Sequence, residues 1–81
     1  MKKAKDATRE LTLMLLYLNS FSERMSPGLR SWKGYDFGAL NELEESGYIY
    51  GSHKAKSVML DETGIEKAKA LLVEYGIEEW S

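Results

Sequence analysis

Apolar residues recur at steps of three and four from Ala4 to about Phe21: Ala4, Ala7, Leu11, Met14, Leu18 and Phe21. That spacing predicts a helix over about 4–21. Leu13, Leu15, Leu16 and Tyr17 widen the apolar face over its second half. A helix that is apolar nearly all round is buried on more than one side, so either two other elements cover it or a second subunit does. Residues 22–35 lack such a period. Ser26-Pro27-Gly28 and Gly34 punctuate them, and Pro27 disfavours a helical conformation at Ser26. This stretch reads as irregular, with room for a short helical turn around Gly28 to Trp32. Periodicity returns over about 37–46, where Phe37, Leu40 and Leu43 form a predicted buried stripe. Asp36 stands where an N-cap carboxylate belongs and Gly47 where a left-handed C-cap residue belongs.

The period then changes. Tyr48-Ile49-Tyr50 and Val58-Met59-Leu60 are β-prone and apolar, and Gly51 to Ser57 is a polar turn, so 48–60 reads as a β-hairpin. Asp61 or Thr63 caps a last helix over about 62–75, and Thr63 with Glu66 fits a reciprocal capping box. Ile65, Ala68, Leu72 and Tyr75 are its predicted inner face. Gly76 ends it, and 76–81 is a tail with Trp80 as its one large apolar anchor. Residues 1–81 are therefore read as a single domain of class α+β, mostly α. The element order is that of a winged helix-turn-helix-like domain with a two-stranded β-hairpin wing and a C-terminal helix.

Composition narrows the function classes. At 81 residues and 43% apolar content the chain can bury a core of its own. There is no Cys, so thiolate metal sites and disulfides are excluded, which fits a reducing compartment. The longest apolar run, Leu13 to Leu18, is far too short for a membrane span. No secretory signal follows the basic start, because charged Lys5, Asp6, Arg9 and Glu10 come next. A cytoplasmic location and no membrane partner are expected. The formal charge of −2 is unevenly spread: residues 1–60 carry nine Lys/Arg against seven Asp/Glu, and residues 61–81 carry two against six. A dedicated nucleic-acid binder has an evident basic surplus, since phosphate neutralisation supplies much of its affinity, and the whole chain has none.

Leu40, Leu43-Glu44, Gly47-Tyr48-Ile49 and Val58-Met59-Leu60-Asp61-Glu62-Thr63-Gly64 together resemble the recognition-helix-plus-wing segment of MarR- and PadR-type bacterial transcriptional regulators. The resemblance covers roughly a third of the chain. It departs from the regulators at Ser26-Pro27-Gly28, where they have a clear helix. Leu16-Tyr17-Leu18, Trp32-Lys33-Gly34-Tyr35-Asp36 and Lys54-Ala55-Lys56-Ser57-Val58 are similar to a family of small uncharacterised bacterial proteins with a winged-helix-like fold. The first resemblance implies DNA binding and transcription regulation; the second implies a fold and no activity.

The wing holds the leading candidate site. His53, Lys54 and Lys56 lie in the hairpin turn, where cations reach DNA phosphates or the minor groove; the same residues also fit a solvated turn. Arg30 and Lys33 are further phosphate-contact candidates. Asn41, on the outward face of the presumed recognition helix, is the candidate base reader, since Asn pairs bidentately with adenine. That helix also carries Glu42, Glu44 and Glu45 with no Lys or Arg, which opposes a groove-reading role. Trp32-Lys33-Gly34-Tyr35 reads either as a ligand or partner pocket charged by Lys33 or as aromatic core packing.

Catalysis has little to draw on. One His and no Cys, without a metal-ligand spacing, a phosphate-binding loop or a nucleophile elbow, predict no enzyme activity, no metal and no cofactor. Two binding functions remain: double-stranded DNA, bound as a homodimer on paired half-sites, or a protein partner on a scaffold that does not bind DNA. The expected dimer interface is the apolar surplus of the first and last helices: Leu13, Leu16, Tyr17, Leu71, Val73 and Trp80.

Overall fold

The first helix, α1, runs Ala4–Leu18, and the residues after it explain why it stops short of Phe21. The Asn19 amide Nδ2 donates to the Leu15 carbonyl at 3.0 Å, and the Ser20 hydroxyl donates to the Tyr17 carbonyl at 2.6 Å. Each side chain adds a second donor to a carbonyl that also accepts the same residue's backbone N–H, which closes the last turn and competes with its continuation. Phe21 is then extended and exchanges two backbone hydrogen bonds with Arg30, both 2.8 Å. In this computed structural model residues 3–21, 29–32, 34–51 and 57–78 are described. Lys33, His53, Lys54, Lys56 and Trp80 lie outside them.

Part of the stretch read as irregular is a strand. β1, Leu29–Trp32, pairs antiparallel with β3, Ser57–Leu60, in the register Leu29 with Leu60, Arg30 with Met59, Ser31 with Val58 and Trp32 with Ser57. The expected helical turn near Gly28 to Trp32 is thus corrected to extended chain over 29–32. Between β1 and the hairpin lies α2, Phe37–Glu45, followed by β2, Ile49–Tyr50. Ile49 pairs with Leu60 and Tyr50 with Met59, which gives a three-stranded sheet in the order β1-β3-β2. α3, Glu62–Tyr75, closes the fold. The class is α+β and mostly helical, compatible with a winged-helix-like arrangement. Among the described residues a single helix, α2, stands between β1 and β2, rather than a helix-turn-helix pair.

Each cap has a chemical cause. An Asp36 carboxylate oxygen accepts from the Ala39 amide at 3.0 Å and starts α2. Gly47, with φ of +81°, turns the chain out of it. Asp61 caps α3 by accepting from the Thr63 amide at 3.2 Å; Thr63 sits inside the helix. Gly76, with φ of +71°, ends α3 in the left-handed conformation that favours glycine.

The three helices cover one face of the sheet. Leu13, Met14 and Leu16 of α1, Leu40 and Leu43 of α2, Ile49, Val58 and Leu60 of the sheet, and Ala68, Leu71 and Leu72 of α3 form one buried core. A fully buried Leu or Ile contributes roughly 1.5–3 kcal/mol, so this cluster is the main source of stability. Gly64 lets α3 approach the hairpin: a Cβ there would overlap the carbonyl of Tyr48. Three predicted stripes are corrected. Phe37 is 75% exposed, because α2 buries Ala39, Leu40 and Leu43 instead. Leu11 and Tyr75 are exposed, while Leu13, Leu16 and Leu71 are inside. No helix among the described residues is long and apolar enough to cross a membrane.

Candidate nucleic-acid interface

Strand residues alternate between faces, and in this sheet the alternation sorts chemistry. Leu29, Ser31, Ile49, Val58 and Leu60 point to the helices. Arg30 and Trp32 of β1, Ser57 and Met59 of β3, and Tyr50 of β2 point away from them. Phe21, paired with Arg30 across the outer edge of β1, falls on the same outer face. Trp32 is 61% exposed and Tyr50 is 53% exposed.

The outer face is organised by contacts between its own side chains. Arg30, Met59 and Tyr50 form one row across the three strands, and the Arg30 Nε donates to the Met59 Sδ at 3.0 Å. That contact lays the guanidinium along the sheet. The rings of Phe21 and Trp32 lie 6.0 Å apart and tilted by 40°, within the range of favourable aromatic pairs. Phe21 thereby supports one side of the indole. β1 and β2 flank β3, and Trp32 lies level with Ser57 while Tyr50 lies level with Met59. The two aromatics therefore stand diagonally, about 12 Å apart at their Cα atoms, two strand spacings across the sheet and two residues along it. None of the strand residues on this face is acidic.

The helical layer differs. On α2, Asn41 and Glu45 are exposed and Glu44 is half-buried. Glu42 holds the nearby cations of α1: its carboxylate lies 3.1 Å from the Lys5 Nζ and 3.8 Å from an Arg9 nitrogen, and Arg9 also meets Asp6 at 3.3 Å. Lys5 and Arg9 are therefore engaged with carboxylates. Charge along the chain follows the same division. Residues 20–35 and 47–60 together carry five Lys/Arg and one acidic residue; residues 36–46 carry four acidic residues and no base; residues 61–81 carry six acidic residues and two bases. Residues 1–19 carry four Lys/Arg and two acidic residues, so the formal charge of −2 averages basic segments with the acidic α2 and α3.

Of the residues singled out from sequence, Arg30 lies on the outer sheet face and Asn41 on the helical layer, so the structure does not gather them into one site. The expected dimer interface is corrected. Leu13, Leu16 and Leu71 are buried within one chain, where α1 packs on α3, α2 and β1, so they offer nothing to a partner. Tyr17 is half-buried against the same core, and of the expected interface residues that are described only Val73, 80% exposed, presents an open apolar surface. Tyr50, Met59 and Phe21 were not legible as surface residues. The signal was the alternation of Leu29-Arg30-Ser31-Trp32, which an inward Ser and an outward Trp disguise. Among the described residues no cluster of three or more His, Cys, Asp or Glu is placed to hold a metal ion.

A family model described as Domain of unknown function (DUF6429) matches residues 4–78 of the chain. No curated protein and no solved structure matches it.

Proposed function

The chain belongs to the DUF6429 family, and from that premise we propose that it is a nucleic-acid-binding domain that meets its ligand with the sheet and the wing, not with α2. One observation carries this reading: the strand residues of the outer sheet face include exposed aromatics and Arg30 but no carboxylate, while the acidic residues of α2 and α3 belong to the opposite layer. A polyanion approaching that face meets little repulsion despite the overall charge. The cations of the wing sequence, Lys54 and Lys56 with His53, and Lys33 after β1, extend the same chemistry. The likeness of residues 40–64 to the wing segments of MarR- and PadR-type regulators supports DNA as the polymer, by analogy. Asn41 has no part in this reading, because the helix that bears it is acidic and its neighbouring lysine and arginine are paired to Glu42. The activity is binding and not catalysis.

The test is fluorescence anisotropy of labelled DNA, duplex and single-stranded, at low salt. Binding that weakens with salt is expected, with a slope reduced by about one unit for each cation removed in Lys54→Ala with Lys56→Ala. Absence of binding to either form overturns the reading.

A second reading has its own observation. Phe37 stands 75% exposed at the start of an acidic helix, and an exposed aromatic of that kind is a common anchor for a protein partner. On this reading the domain is a protein-interaction module without a DNA role. Phe37→Ala leaves DNA affinity unchanged if the first reading holds.

A further inference from the structure

We infer that the outer face of the sheet is a stacking platform for unpaired bases, on which Trp32 and Tyr50 each take one base of a single strand. The inference rests on the nucleic-acid reading and narrows it to single-stranded segments.

The argument begins with what the exposed rings can touch. An intact duplex keeps its base faces inside the stack, so a flat aromatic surface gains nothing from them. A single strand offers every base as a π-face, and stacking on aromatic side chains is sequence-tolerant for that reason. Trp32 and Tyr50 present such rings, the first with Phe21 supporting one side of its indole and the second at the far end of the Arg30-Met59-Tyr50 row. Their spacing points the same way. They are about 12 Å apart on the diagonal of the sheet, against about 3.4 Å between successive bases along one strand of a duplex. Two bases that occupy both rings are therefore splayed, which a paired strand cannot supply. Arg30 stands on β1 two residues from Trp32 on the same face, at the opposite end of the row from Tyr50, and its Nε is held by Met59, which places a cation beside the Trp32 end of the platform. Charge decides between nucleic acid and an apolar peptide as occupant: among the strand residues of this face the one charged side chain is the cation Arg30, and none is acidic.

The experiment uses the full chain with Trp80→Phe, which leaves Trp32 as the sole tryptophan. A short labelled oligothymidylate and a duplex of equal length are titrated by anisotropy at low salt, and Trp32 emission is followed with unlabelled strands. The single strand is expected to bind at least tenfold more tightly than the duplex and to quench Trp32. In the parent chain, Trp32→Ala is expected to weaken binding by about 5- to 100-fold, and Tyr50→Ala to do the same. Trp32→Phe keeps most of the affinity, because a ring remains. Both residues are more than half exposed, so neither replacement opens the core, and circular dichroism verifies the fold of each variant. Duplex binding that equals or exceeds single-strand binding, together with indifference to Trp32→Ala, overturns the platform and leaves the nucleic-acid reading intact. Binding of neither form overturns both and leaves the aromatic face to a protein partner.

Discussion

Two residues show how little the identity of a side chain says about its place until its neighbours are known. Gly64 could be read from sequence only as a weak point in a helical pattern. In the fold it is where α3 crosses the carbonyl of Tyr48, and a methyl group there has no room against backbone. Gly64→Ala is therefore expected to destabilise by about 1–3 kcal/mol or more, although alanine is the better helix former by about 1 kcal/mol. Urea denaturation measures the difference, and a rise in the midpoint would show that α3 and the hairpin do not meet there. Ser31 is the opposite case. It is buried on the core side of β1, and its hydroxyl has no hydrogen-bond partner among the described residues. A buried, unsatisfied polar group costs about 1–3 kcal/mol. Ser31→Ala removes that group with little loss of volume and is expected to raise the urea midpoint. A lower midpoint would mean that the hydroxyl has a partner in solution. The same Ser31 explains why β1 was not legible: with a polar residue inward and Trp32 outward, the strand violates the pattern by which half-buried strands are recognised.

At the scale of elements, the capped and strongly periodic segments were legible and the phase of the periodic ones was not. α2 and α3 start where Asp36 and Asp61 predict and end at glycines that take positive φ. The hairpin follows from two β-prone runs around a polar turn. α1 was recognised as a helix because any three- or four-residue step finds a Leu, and for the same reason its inner face could not be chosen. Leu11 matched the pattern as well as Leu13 and Leu16, and contacts with α2, α3 and β1 decided in favour of the latter two. Its end was overestimated because Phe21 continues the period, whereas Asn19 and Ser20 close the helix with their side chains. Of the candidate interface, Arg30 was legible as a cation and Trp32 as an aromatic of note, but their common face required the register with β3. Capping makes a direct prediction. α2 has nine residues and one side-chain cap, the Asp36 carboxylate on the Ala39 amide. Asp36→Ala is expected to cost about 1 kcal/mol and Asp36→Ser much less, read as a shift in the urea midpoint at constant slope. An equal loss in both variants would show that the carboxylate acts through something other than the cap.

At the scale of the molecule, apolar surface and charge are both divided between two layers, and this bears on assembly. The sequence placed a surplus of apolar residues on α1 and α3 and assigned it to a second chain. In the fold that surplus is the core: Leu13, Leu16 and Leu71 are covered by the other helix and by the sheet of the same chain. What remains outside among the described residues is spread over separate elements, with Leu11 and Leu15 on α1, Phe37 on α2, Val73 and Tyr75 on α3, Ile77 just after it, and Trp32 and Tyr50 on the sheet. A stable homodimer needs a continuous surface of about 800 Å² from each partner. The exposed leucines of one helix supply only part of that. The chain is therefore expected to sediment at its own mass of 9.2 kDa up to high micromolar concentration. Sedimentation equilibrium checks this directly. A dimer at those concentrations would locate the contact on the α1 surface, and Leu11→Lys with Leu15→Lys would then abolish it while leaving the core untouched. The outcome also reaches the binding mode. Reading paired duplex half-sites requires two copies held in fixed register, whereas a single strand laid across Trp32 and Tyr50 requires one. A monomer that binds oligothymidylate one to one joins the two expectations, and an obligate dimer that binds only duplex would overturn both.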